Sequence, residues 1–175
     1  TREHAEHFGI GFAPRGGRDL LNYLLEKKFT KDDLVKAGLV REAGWDFFQG
    51  RLVWPIRDAG RSTLGFGARR IFDDDRMPAK YLNTPETAIY KKSQVLYGLN
   101  LARKAIATER RVVVVEGYTD VMAAQLAGIE CTVATCGTAF GSDHVKIVRR
   151  LIGDGANPAA GVMLSSGRSY GGEVI

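Results

Sequence analysis

The residues best suited to chemistry stand in one run, Val112–Asp120, which reads VVVVEGYTD. A single carboxylate, Glu116, follows the valines. Gly117 permits a tight turn, and Asp120 follows within the next turn of chain. Ligands in open α/β sheets sit at the carboxyl ends of strands. Two carboxylates placed there can hold a divalent metal or handle a proton. The plainer alternative is a strand that ends in solvent.

The other acids are weaker candidates. Asp73–Asp75 lies among Arg and Lys, and it is expected to be a solvated turn. Asp154 precedes a glycine and is read the same way. Asp143 falls just after a helix start, where an acid favours the helix dipole without any role in catalysis. His4, His7 and His144 have no metal-ligand spacing with one another. His144, beside Asp143, could orient something in the preceding loop or make a helix-terminal hydrogen bond. Cys131 and Cys136 are assigned to opposite faces of one strand, so neither a disulfide nor a zinc site is expected.

Basic residues concentrate in the middle of the first half. Arg57, Arg61, Arg69, Arg70, Arg76, Lys80, Lys91 and Lys92 interleave with Phe66, Phe72, Tyr81 and Tyr90 in an extended, Gly-rich segment. Cations with interleaved aromatics suit the phosphates and bases of a single nucleic-acid strand. The net charge of +5 over 175 residues agrees with a polyanionic partner.

These groups need a scaffold. Four consecutive valines are too apolar for a solvated strand and too few for a helix, so Val112–Val115 is expected to be a central strand of a parallel sheet. Thr119 would cap a helix running to Ala127, Ile129–Thr135 would be the second strand, and Ser142 would cap a helix through Ile152. Strand–helix–strand–helix order implies right-handed parallel crossovers. Before this unit, His4–Phe8, Leu20–Lys28, Thr30–Gly38 and Leu99–Ile106 carry helical spacing. Leu52–Ile56 and Ser62–Phe66 read as a hairpin, with Pro55 marking an edge or bulge. Gly65 and Gly67 point to a close approach beside Phe66. Pro78–Asn83 is extended, and Thr84–Tyr90 is expected to form a turn of helix. Gly153–Gly172 reads as a loop, and Glu173-Val174-Ile175 as the start of a third strand.

The 45% hydrophobic content supports a real core. No apolar run is long enough to span a bilayer. The cysteine usage fits a reducing cytoplasm. The chain opens on Thr1 and is expected to be a piece of a longer protein.

Several motifs together resemble one family, the bacterial replicative primases of DnaG type. They are Phe8-Gly9-Ile10-Gly11-Phe12-Ala13-Pro14, Arg51-Leu52-Val53-Trp54-Pro55-Ile56-Arg57-Asp58, Gly65-Phe66-Gly67-Ala68-Arg69, Lys80-Tyr81-Leu82-Asn83-Thr84-Pro85-Glu86-Thr87, Leu96-Tyr97-Gly98-Leu99 and Val115-Glu116-Gly117-Tyr118-Thr119-Asp120. Each is weak alone, but their order and spacing are specific and cover nearly the whole chain.

The resemblance implies an α+β N-terminal basic subdomain, residues 1–107, followed by an incomplete α/β Toprim subdomain, residues 108–175. It implies a DNA-directed RNA polymerase, a nucleotidyltransferase that makes short RNA primers on single-stranded DNA from nucleoside triphosphates. Glu116 becomes the catalytic carboxylate, as metal ligand or proton-handling group, with Asp120 beside it. Arg69, Lys80 and Lys92 match positions that contact template or nucleotide, and Tyr81 and Asn83 lie in the same motif. The implied ion is Mg2+ or Mn2+. Most of its acidic ligands would lie on a later strand beyond the chain. Zinc and the replicative helicase belong to N- and C-terminal domains that the chain would lack. His7 stands where many relatives carry Arg. An incomplete sheet would leave the Val112–Val115 strand with an uncovered edge. In that form the chain would only bind single-stranded DNA.

Overall fold

A computed structural model describes residues 1–75, 77–153 and the backbone of 161–164. The chain divides into two compact units, one of Thr1–Pro55 with Leu64–Lys91, the other of Ile56–Thr63 with Lys92–Ile175.

The first unit opens with helix α1 (Arg2–Phe8), capped by the Thr1 hydroxyl and ended by Gly9 at a left-handed φ of 69°. Strand β1 (Gly11–Ala13) follows, then α2 (Asp19–Glu26) and α3 (Lys31–Lys36), the latter capped by Thr30 as its spacing requires. Leu21, Leu34 and Val40 form a small apolar cluster beneath these helices. No side chain at Arg18 caps α2. The buried Asp46 does so instead, accepting the Leu20 and Leu21 N–H groups at 3.0 Å each. A four-stranded sheet runs in the order β1, β2 (Arg51–Arg57), β3 (Thr63–Arg70), β4 (Tyr81–Asn83).

Three expectations change in this unit. Strand β2 lies between β1 and β3, so Pro55 is not on an edge strand. It is tolerated because the β1 ladder ends at Val53, leaving no partner on that side at residue 55. Thr84–Tyr90 forms no helix. The Thr87 hydroxyl takes the Ile89 and Tyr90 N–H groups at 3.3 and 3.0 Å, which turns the chain locally without a helical ladder. Asp73–Asp75 is not merely solvated, because Asp75 pairs with the buried Arg51 at 2.7 Å. The close approach at Gly65 is real. A Cβ there would stand 3.2 Å from Thr84 and from the Tyr90 ring.

The second unit is an α/β sheet in the order β5 (Leu96–Tyr97), β7 (Thr132–Thr135), β6 (Arg111–Val115), β8 (Gly161–Leu164). Strand β6 is central, parallel to β7 and to β8, while β5 runs antiparallel along β7. Helices α4 (Leu99–Glu109), α5 (Tyr118–Leu126) and α6 (Ser142–Ile152) connect them. The core gathers Leu96, Ile106, Val112, Val114, Val133 and Val148, with Ala59 of the β2–β3 turn packed on it.

The caps shift from expectation. Gly117, not Thr119, is the N-cap of α5, and Gly141, not Ser142, that of α6. A hydroxyl inside the first turn cannot cap, and in both helices a side chain at the third helical position reaches back instead. Strand β7 begins at Thr132 rather than Ile129, so Cys131 and Cys136 flank it; both are free and buried. Part of the expected Gly153–Gly172 loop is strand β8, which covers the edge of β6 expected to be open. The proposed strand Glu173–Ile175 and the turn at Asp154 lie outside the described residues.

Candidate nucleic-acid interface and carboxylate site

The β3–β4 ladder brings four of the expected binding residues together in the first unit. Arg69 pairs in register with Tyr81, and Gly67 with Asn83. The Arg70 N–H donates to the Lys80 carbonyl at 2.9 Å. Lys80 is exposed, and its Nζ lies 5.9 Å from the Tyr81 ring centroid, a weak cation–π contact. Tyr81 is 41% exposed, so its ring face is available for stacking. Arg69, Arg70, Phe72, Asp73 and Lys80 line a cavity of about 470 Å³. The Arg69 Nε is buried there with no hydrogen-bond partner among the described residues. A buried, unpaired guanidinium nitrogen is costly unless an acceptor arrives. The Arg69 guanidinium and the Lys80 ammonium, which both line the cavity, carry the charge that a phosphate would need.

A second cavity of the same unit, about 510 Å³, was not legible in the sequence. Its wall includes Arg15, Arg41, Trp45, Phe47, Gln49 and Phe72. Arg15 stacks on Phe72 at 4.6 Å and Arg41 on Phe47 at 4.7 Å, while neighbouring Arg18 stacks on Trp45 at 4.6 Å. Trp45 is 45% exposed. Alternating flat cations and rings suit a nucleic-acid strand, whose bases stack and whose phosphates need charge. The signal available beforehand was the Gly-rich Arg15–Arg18 loop, but its aromatic partners lie some way along the sequence.

In the second unit, Glu116 projects from the carboxyl end of β6 and is exposed. Asp120, also exposed, accepts the Gly117 N–H on Oδ2 at 3.0 Å. This bond fixes the turn that carries Glu116 and commits one Asp120 oxygen to the helix cap. Beneath the turn, Tyr118 meets Tyr97 edge to face at 4.7 Å. Burial pushes the Tyr97 phenol well above its usual range, with Cys136 adding to the shift and Arg57 opposing it. Tyr97 therefore stays neutral and serves as packing. Lys92 begins a short 3₁₀ turn, Lys92–Gln94, in this same unit.

The described residues contain no group of three or more His, Cys, Asp or Glu side chains able to hold a metal. Glu116 and Asp120 are fitting ligands by chemistry, but by themselves they are an incomplete centre. No chemical step is therefore derived through an ion. No helix among the described residues is long and apolar enough to cross a membrane.

Comparison with known proteins gives the family and the fold. Residues 1–103 match the family described as DNA primase catalytic core, N-terminal domain, and residues 110–163 match the Toprim domain. A DNA primase of Streptomyces coelicolor is 58% identical over 153 residues, covering 86% of this chain and 24% of that protein. The chain thus spans about a quarter of the length of the curated relatives it matches. Among solved structures, the RNA polymerase domain of Mycobacterium tuberculosis primase DnaG superposes with a TM-score of 0.89 at 49% identity, over 94% of this chain and 54% of that one. The same domain in complex with a double-stranded DNA oligomer bearing a 6-nucleotide overhang gives 0.88 at 49% identity, over 94% of this chain and 52% of that one. With its first 103 residues matched and its fold shared with a primase RNA polymerase domain, the chain belongs to the DNA primase catalytic core family.

Proposed function

We propose that this chain is the part of a primase RNA polymerase core that grips the single-stranded DNA template and presents the first catalytic carboxylates for RNA primer synthesis. Residues 1–107 form the basic subdomain, and residues 108–175 the Toprim part. The observation that carries the reading is the β3–β4 ladder, where Arg69 keeps a buried, unpartnered Nε beside Lys80 and the exposed Tyr81. Arg69 and Lys80 neutralise phosphate of template or nucleoside triphosphate, Tyr81 stacks on a base, and Asn83 lines the same groove. Lys92, which packs with the second unit, contacts template or nucleotide there. The DNA overhang in the mycobacterial complex supports a template strand as partner.

Primer synthesis joins the primer 3′ hydroxyl to the α-phosphate of an incoming nucleotide and releases pyrophosphate. Mg2+ or Mn2+, when bound, supplies charge neutralisation for that transfer. Glu116 is one ligand or the proton-handling group, and Asp120 is the second carboxylate, holding the Glu116 turn through Gly117. Zinc and the helicase act on parts of the primase outside this chain, which works in the cytoplasm at the replication fork.

The second reading, a binding module without catalysis, is favoured by the grouping of Arg69, Lys80 and the exposed Tyr81 on the β3–β4 ladder. Glu116→Gln in the intact primase separates the two. The expected result is loss of primer synthesis with single-stranded DNA binding unchanged. Normal synthesis by that variant would remove Glu116 from the mechanism.

A further inference from the structure

Helices α5 and α6 both begin on a glycine, and both are closed by a side chain at the third helical position. Asp120 takes the Gly117 N–H, and His144 takes the Gly141 N–H on Nδ1 at 3.1 Å. An acceptor is all that such a cap requires, and Asp120 shows that a carboxylate meets it. His144 brings a second polar atom. Because Nδ1 accepts, the neutral ring carries its proton on Nε2, and Nε2 donates to the Lys92 carbonyl at 3.2 Å. The ring is 1% exposed and stacks on Phe140 at 5.5 Å with the planes 20° apart. The ring thus joins the cap of α6 to the start of the turn that carries Lys92.

We propose that His144 is a positioning residue for Lys92, its buried ring fixing by two hydrogen bonds the backbone from which the Lys92 ammonium reaches template or nucleotide. The inference rests on Lys92 acting in nucleic-acid or nucleotide binding, as read above. A long, rotamer-rich side chain loses affinity when its backbone wanders, because more freedom must be surrendered on binding. A rigid ring with an acceptor and a donor on adjacent sides removes that freedom beforehand. His144 touches no ligand in this account.

The test is a double-mutant cycle in the intact primase, using a labelled single-stranded oligodeoxynucleotide for binding and the nucleotide KM and kcat for primer synthesis. His144→Asn keeps an acceptor for Gly141 but cannot reach Lys92. Contacting residues couple by roughly 0.5–3 kcal/mol, so His144→Asn is expected to weaken binding or raise KM by about threefold or more, with kcat little changed. The same change on a Lys92→Ala background should have almost no effect, and His144→Gln should restore much of the loss. An equal loss with and without Lys92, or no loss from His144→Asn, overturns the inference while leaving Lys92 in place. No effect of Lys92→Ala on either ligand overturns the reading of Lys92 and the inference with it. Wild-type protein provides a check that needs no variant. The ring 15N signals should show the proton on Nε2, and a proton on Nδ1 would contradict the cap and the tether together.

Discussion

Arg51 and Asp75 form a buried ion pair that ties the start of β2 to the turn before β4: Nε and Oδ2 are 2.7 Å apart, and the side chains are 1% and 11% exposed. The Arg51 Nη2 also donates to the Met77 carbonyl at 3.0 Å, and the Met77 N–H donates to Asp75 at 2.8 Å. The pair forms one wall of the larger of the two cavities. It holds in place the turn between the two strands that carry Arg69 and Tyr81.

Removing one partner of such a pair strands the other charge. Asp75→Asn is expected to cost about 3 kcal/mol. Urea unfolding measures this, and a cost under about 1 kcal/mol, the level of an exposed pair, would show that the contact is not built as described.

The same pair sets an acid limit. Burial alone would raise the Asp75 pKa, but the hydrogen bonds from Arg51 and Met77 and the charges of Arg51 and Arg70 outweigh it and hold the carboxyl below its ordinary 3.8. A depressed carboxylate stabilises the fold above the unfolded-state value and loses that contribution as pH falls through the folded value. Unfolding midpoints of the wild type should therefore drop on acidification below that 3.8 more steeply than those of Asp75→Asn.

Gly98 precedes α4 at a φ of +82°, and a Cβ there would stand 2.8 Å from the Val121 Cγ1. Gly98→Ala combines a left-handed penalty with overpacking against a fully buried valine. The expected loss is about 3 kcal/mol, read by thermal unfolding. A change within about 0.5 kcal/mol, typical of an exposed surface site, would contradict this packing.

Asp120 has a structural and a chemical task that two variants separate. Asp120→Ala removes the cap and should cost about 1 kcal/mol. Asp120→Asn keeps an oxygen for the Gly117 N–H and should leave stability nearly intact. Loss of primer synthesis in both variants assigns the charge to the reaction. Full activity of Asp120→Asn would reduce Asp120 to a cap.

Phosphate contacts and stacking differ in their response to salt. Lys80→Ala should weaken single-strand binding and lower the log–log salt slope by roughly 0.7. Tyr81→Ala should cost about 1–3 kcal/mol of binding with the slope almost unchanged. Equal slopes for wild type and Lys80→Ala would remove Lys80 from the phosphate contacts.

Helices α1 to α6, the β2–β3 hairpin and the parallel pair β6–β7 were legible because their signals are local. Apolar spacing along α4 and α6, the Thr30 cap and the valine run each read within a single turn or strand. Glu116 at a strand end was legible for the same reason. The cap positions of α5 and α6 were not, because Gly117 and Gly141 have no side chain and rely on Asp120 and His144 to reach back.

By itself the amino-acid sequence determined the order of elements, the segregation of basic residues from the Glu116 run, and motifs specific enough for the family. Tertiary structure alone decided which residues meet. Asp46 caps α2 from 25 residues away, Asp75 neutralises Arg51 across 24, and the Lys92 carbonyl accepts the His144 hydrogen bond across 52. It also placed two-residue β5 beside β7 and β8 beside β6. Short strands and buried polar pairs carry no periodicity of their own. They are stable only where the rest of the fold supplies the partner and excludes water, and that condition exists only once the chain has folded.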